Sequence, residues 1–264
     1  FIAFALLILV LMPGIGREVN GAKRWLPLLG AFTVQPSEFA KFALLLYTAG
    51  YLVRQEDAVR HHWQGLAKLI FILGIVGFLL LLEPDFGATV IAVGAVVGMM
   101  FLAGARLIYV LALLASVALG FLVLVFSAPY RLQRLTAYQD PWSDPFGAGF
   151  QLVQSLIAFG RGEWFGVGLG NSIQKLFYLP EAHTDFVFSI WAEETGLFGA
   201  LLLILLFVGL ITRIMQTGWR AAAEGNGFAA YLCFGVGLMF AGQVFINMGA
   251  SSGLLPTKGL TPPV

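Results

Sequence analysis

Charge is what this sequence has least of. Asp, Glu, Lys and Arg make up 11% of its 264 residues, whereas 59% are hydrophobic; soluble domains carry about 25% charged residues. That balance excludes a water-soluble globular enzyme, and a net charge of +1 offers no basic face to a nucleic acid. Cys233 is the single cysteine, so an internal disulfide is excluded. There is no His-Glu-x-x-His, no paired-cysteine spacing and no Gly-x-Ser-x-Gly, which removes the common zinc and serine-hydrolase signatures. No basic leader precedes Phe1 and no small-residue cleavage site follows it, so no signal peptide is expected. Phe1 opens inside an apolar run and Pro262-Pro263-Val264 closes the chain, so both ends read as cuts within a longer protein.

Long apolar runs are what the chain does have. A bilayer-spanning helix needs roughly 20 mostly apolar residues. Spans are expected at about 1–12 (partial), 37–53, 66–82, 86–104, 107–126, 186–212 and 228–249. The fold class is therefore an all-α polytopic membrane protein, one domain over residues 1–264. Residues 13–36 form a polar loop carrying Arg17, Lys23 and Arg24, and Glu83-Pro84-Asp85 is a tight turn. The connection 127–185 is too long for an idle linker, and its aromatic and glycine content argues against disorder.

If the spans alternate, 13–36, 83–85 and 127–185 share one side, while 54–65, 213–227 and Arg106 share the other. Both sides carry Lys and Arg, so charge counting alone does not orient the chain. The long loop is placed outside, since long loops weigh little in the positive-inside rule. Gly94-x-x-x-Gly98 suits close helix approach and equally suits a generic glycine-rich membrane helix. Gly160, Gly162, Gly166, Gly168 and Gly170 match neither a dinucleotide fingerprint nor a P-loop, and are expected in a flexible or re-entrant loop.

The ionisable residues that remain are concentrated. Lys175, Glu181, His183 and Asp185 fall within Asn171–Ser189, against the start of an apolar span, and ionisable groups beside hydrocarbon mark a site by default. Glu181 and Asp185 face the same way in a strand and nearly so in a helix, whereas His183 joins them only if the segment is extended. Asp185 at that edge is a candidate base; capping of the following helix is the structural alternative. Lys175, Arg131, Arg134, Lys23 and Arg24 share the proposed side and suit a pyrophosphate, or lipid headgroups. Glu38 and Lys41 are spaced to pair on one helix face. Glu193 and Glu194, roughly two turns into the next helix, are costly to bury, so at least one is expected to face a cavity or a partner.

Several stretches together resemble the SEDS family (shape, elongation, division, sporulation). These are Asn20–Leu26, Gln35-Pro36-Ser37-Glu38, Glu83–Thr89 (EPDFGAT), Asp140-Pro141-Trp142, Gln154-Ser155, Tyr178–Phe186 (YLPEAHTDF) and Gly253–Gly259. They occur in family order over essentially the whole chain, and look more like the division member than the elongation member. The resemblance implies about the third through ninth of ten membrane helices, with 127–185 as an extracytoplasmic loop. It implies a peptidoglycan glycosyltransferase that polymerises lipid II in the bacterial inner membrane at the division septum. Its implied partners are a class B penicillin-binding protein and other divisome membrane proteins. The family's essential aspartate maps onto Asp185. Lys175, Glu181, His183, Arg131, Arg134, Lys23, Arg24, Lys41 and Glu83 are the substrate-side candidates. No cofactor is firmly implied, although a divalent cation would suit the leaving group, and no metal ligand is assigned. A lipid II flippase and a non-catalytic scaffold are the alternatives to be tested.

Overall fold

The computed structural model describes residues 2–12, 16–19, 22–27, 33–126, 138–147, 149–180 and 182–256. Helices form over every expected span: α1 (Ile2–Leu11), α2 (Pro36–Arg54), α4 (Gln64–Leu82), α5 (Phe86–Leu102), α6 (Leu107–Phe126), α8 (Val187–Ala223) and α9 (Gly227–Ser251), with a short α3 (Glu56–His61) after α2. Among the described residues, α4, α8 and α9 are long and apolar enough to cross a membrane, and α1, α5 and α6 supply shorter apolar stretches.

Two parts of the expected loops are structured. The 13–36 segment holds a small antiparallel sheet of β1 (Arg17–Val19), β2 (Ala22–Pro27) and β3 (Thr33–Val34). The long connection holds a helix, α7 (Phe150–Gly162), a π-helical turn at Gln174–Tyr178 and a single 3₁₀ turn at Pro141–Ser143.

The chain divides into two compact units, Phe1–Val117 with Ile211–Gly242, and Ala118–Leu210 with Gln243–Pro262. In the first, α2 buries Ser37, Ala40, Lys41, Leu44, Leu45, Thr48, Tyr51 and Leu52, a single stripe at helical spacing. Phe39, Phe42 and Leu46 face outward, so the outer face is as greasy as the inner one. The buried stripe packs with Leu69, Leu73 and Leu80 of α4 and Val96, Met99 and Met100 of α5. Tyr51 Oη donates to the Gly65 carbonyl at 2.6 Å, tying α2 to the start of α4. A Cβ on Gly98 would lie 2.6 Å from Leu238 Cδ1, so Gly98 permits the close approach its motif suggested. Gly94 has open space and does not take part.

Two connections show which loops share an end of this unit. Arg24 Nε and Nη2 donate to the carbonyls of Glu83 and Pro84 at 3.0 and 2.6 Å. Arg60 Nε donates to the Ala103 carbonyl at 3.2 Å. The 13–36 and 83–85 segments thus lie together, and 54–65 lies with the α5–α6 turn, as alternation requires.

The second unit is organised by a break in α8 at Gly196, whose φ of 68° and ψ of −168° are not helical. A break orphans backbone groups, and here the neighbouring loop supplies their partners. Val167 and Gly168 N–H donate to the Glu193 and Glu194 carbonyls at 3.0 and 3.1 Å, and Leu197 and Phe198 N–H donate to the Glu163 and Trp164 carbonyls at 2.9 and 3.3 Å. A Cβ on Gly196 would collide with backbone atoms of Trp164, Phe165 and Gly166; one on Gly162 or Gly166 would collide with the backbone of Ala192 or Glu194. Gly162 and Gly166 of the glycine run are therefore close-packing positions, whereas Gly160 has open space.

Gly196→Ala should cost roughly 2–4 kcal/mol through backbone collision and positive φ. Gly209→Ala, at a helical position with open space, should be neutral or stabilising; thermal unfolding in detergent compares them.

Candidate functional site

The second unit holds the Asn171–Ser189 segment. Asp185 is half-buried in the turn that enters α8, between exposed Thr184 and buried Phe186, and His183 is exposed. Leu179, Ala182 and Phe186 pack together with Ile190 behind this turn, so apolar residues of YLPEAHTDF fasten it while His183 and Thr184 stay exposed. One turn further on, Ser189 Oγ lies 2.5 Å from Ser155 Oγ of α7, and Ser155 Oγ donates at 2.5 Å to the Ser251 carbonyl of α9. All three serines are fully buried. This junction joins α7, α8 and α9 beside the Asp185 turn.

Lys175 is not a free cation. Its ammonium donates to Glu194 Oε1 at 2.7 Å, which also accepts from Ser172 N–H at 3.3 Å. Next to it, Glu193 has no solvent exposure. Arg161 Nη1 donates to Glu193 Oε1 at 2.9 Å, Ser172 Oγ donates to Oε2 at 2.5 Å, and the Ile173 and Gln174 N–H groups lie at 3.3 and 3.4 Å. The expectation that one of this pair faces a cavity or partner is replaced by a specific arrangement: both face the loop that precedes Asp185. The sequence signal that points to it is Arg161 inside the glycine run and Lys175 shortly after it.

The first unit holds a second polar centre. Asp85 Oδ1 accepts from Ala88 N–H at 3.0 Å and caps α5. Its Oδ2 accepts from Gln35 Nε2 at 3.1 Å and Ser37 Oγ at 3.4 Å, so two stretches of the family-like sequence, 35–38 and 83–89, meet at one carboxylate. Glu83 is fully buried, and neither carboxyl oxygen has a hydrogen-bond partner among the described residues. Burial first, and the nearby Asp85 second, push its pKa up to about 8 against the pull of Arg24. Arg24 donates to the Glu83 backbone and not to its side chain. Lys41, 2% exposed, pairs with Glu38 at 2.7 Å, as the spacing suggested.

The sequence-derived candidates are thus distributed over both units: Lys175, His183 and Asp185 in one, Arg24, Lys41 and Glu83 in the other. Arg131, Arg134 and Glu181 lie outside the described residues, as does the Lys23 side chain. Among the described residues no three His, Cys, Asp or Glu side chains group as a metal site.

The family model described as cell cycle protein, covering FtsW, RodA and SpoVE, matches residues 1–264. A protein of Hahella chejuensis named probable peptidoglycan glycosyltransferase FtsW is 57% identical over 263 residues, covering 100% of this chain and 66% of that protein. The protein of the same name in Pseudomonas fluorescens is 54% identical, over 99% of this chain and 64% of its own length. The chain spans a little under two thirds of these relatives. A solved peptidoglycan synthase complex, described as coordinating polymerization and crosslinking, aligns with TM-score 0.77 and 30% identity over 99% of this chain and 71% of that one. The rod shape determining protein RodA of Thermus thermophilus aligns with TM-score 0.59 and 27% identity, over 99% of this chain and 67% of that one.

Two outcomes follow from the buried carboxyls. The Glu83 proton is held more tightly folded than unfolded, so this group's contribution to stability is full below its ordinary value of 4.5 and is lost as pH rises towards about 8. Glu83→Gln should flatten that part of a melting-temperature profile taken from pH 5 to 9. Glu193→Ala should cost roughly 1–3 kcal/mol by stranding the Ser172 hydroxyl and the 173 and 174 N–H groups, read by the same melts.

Proposed function

The chain belongs to the FtsW/RodA/SpoVE family of cell cycle proteins, and from that premise we propose that it is the membrane core of a peptidoglycan glycosyltransferase that polymerises lipid II at the division septum. Relatives of more than 50% identity bear that activity in their names, and the match over residues 1–264 supports one membrane domain. The observation that carries the reading is a half-buried Asp185 in a fixed turn, entering a helix whose next residues are apolar.

The reaction joins two lipid-linked disaccharides. The 4-hydroxyl of one sugar attacks the anomeric carbon of another; the bond to undecaprenyl pyrophosphate breaks, and the hydroxyl proton passes to Asp185 as general base. A pyrophosphate leaves without needing strong protonation, so one carboxylate suffices where a glycoside hydrolase uses two. The leaving group needs positive charge, which Lys175 provides, with Arg131 and Arg134 on the same loop. Lys175 is held by Glu194 at 2.7 Å, so it exchanges one anion for another when the pyrophosphate arrives. His183 and Glu181 orient the sugar beside Asp185. A class B penicillin-binding protein cross-links the product, consistent with the aligned synthase complex.

Asp185→Asn, assayed as full-length protein with its penicillin-binding partner and lipid II, should abolish glycan polymer while membrane insertion is unchanged. Substantial polymer from that variant overturns the reading. Headgroup translocation in liposomes that survives the substitution would favour a flippase. Lys175→Met should lower turnover by about 10²-fold, the usual cost of losing one preorganised donor to developing negative charge.

A further inference from the structure

Trp164 and Phe165 lie in the segment that closes the α8 break and are 61% and 80% exposed; Leu169, just beyond, is 74% exposed. Four backbone hydrogen bonds to α8 hold this segment, so the exposure belongs to a fixed surface. Both rings pack on Phe198 of α8, with centroids 6.0 and 5.3 Å away. Phe198 is itself exposed and begins a stripe with Leu201, Leu202 and Leu205, all exposed and spaced to share one helix face. Only 6% of the most apolar eighteen-residue window of α8, mean hydropathy 2.5, is buried within the protein.

The length of that face identifies what covers it. No charged side chain occurs from Thr195 to Thr212, between Glu194 and Arg213. A helix of that run rises about 27 Å, close to the ~30 Å hydrocarbon thickness of a bilayer. Phe198 therefore lies near one end of the lipid-facing run, and Trp164 and Phe165 sit against it at the level where aromatic rings gather at a membrane–water boundary.

We propose that residues 163–169 are an interfacial anchor: Trp164, Phe165 and Leu169 insert among the lipid headgroups and first acyl carbons, continuous with the lipid-facing stripe of α8. The occupant is lipid, since the anchor extends a surface whose length and composition match a bilayer. The anchor has a consequence that rests on the glycosyltransferase reading. Lys175 follows on the same fastened loop, so its ammonium is held at headgroup height, where a lipid-linked pyrophosphate lies.

The test reads the anchor independently of activity. In a Cys233→Ser background, full-length protein carrying Phe165→Cys is labelled with an environment-sensitive fluorophore and reconstituted in phosphatidylcholine–phosphatidylglycerol nanodiscs. Asp57→Cys, on exposed α3, is the aqueous control. Insertion of about 5–10 Å, usual for interfacial segments, predicts at least about twofold stronger quenching by lipid with a nitroxide near the headgroup than by one at the chain end. It also predicts labelling by a charged maleimide about tenfold slower than at Asp57→Cys. Fast aqueous labelling without lipid quenching overturns the proposal, and so does protection from both reagents, which would mean that protein covers the patch. Leu169→Cys supplies the same readouts if Phe165→Cys does not reconstitute. Loss of polymerase activity in Asp185→Asn has no bearing on any of these outcomes.

Discussion

A carboxylate with no access to solvent has to find its donors within the protein, and Glu193 finds them on the loop that carries the site. Its oxygens accept from Arg161, Ser172 and the backbone at 173 and 174, while its own carbonyl accepts from Val167. Glu194 repeats the arrangement with Lys175 and Gly168. Two adjacent residues of α8 therefore hold both arms of the loop, one with backbone and one with side chains. The conformation from Glu163 to Lys175 is dictated by α8 as much as by the loop's own sequence.

The two units handle buried acid in opposite ways. Glu193 is kept by a set of donors. Glu83 has none among the described residues, and burial pushes its pKa up to about 8. Asp85, two residues on, is satisfied by a helix terminus and two side chains. Desolvation governs Glu83, while Asp85 in the same short turn is held by hydrogen bonds.

The spans were legible because twenty-residue apolar runs admit one reading, and α2, α4, α5, α6, α8 and α9 follow it. Asp185 and Lys175 stood out because charge is scarce, and Lys41 with Glu38 because their spacing is local. What stayed hidden depends on contacts between residues distant in sequence. The break at Gly196 sits within an unbroken helical pattern, and only the loop that fills it makes it affordable. α7 is hidden because its apolar face is too short to register as a span. The sheet at 17–34 draws on pairing between short strands, which composition does not reveal. Arg24 was noticed as a cation, yet it uses its donors on two backbone carbonyls.

The three serines at the meeting point of α7, α8 and α9 act on the freedom of those helices as whole bodies. Hydroxyl bonds of 2.5 Å between helices tolerate little axial displacement, and a slip of one residue, about 1.5 Å, breaks both at once. Apolar ridges would let a helix ratchet past its neighbour with a modest change in contact. Sliding one of these helices along its neighbours therefore costs hydrogen bonds as well as packing, and Asp185 lies one turn from Ser189 at that junction.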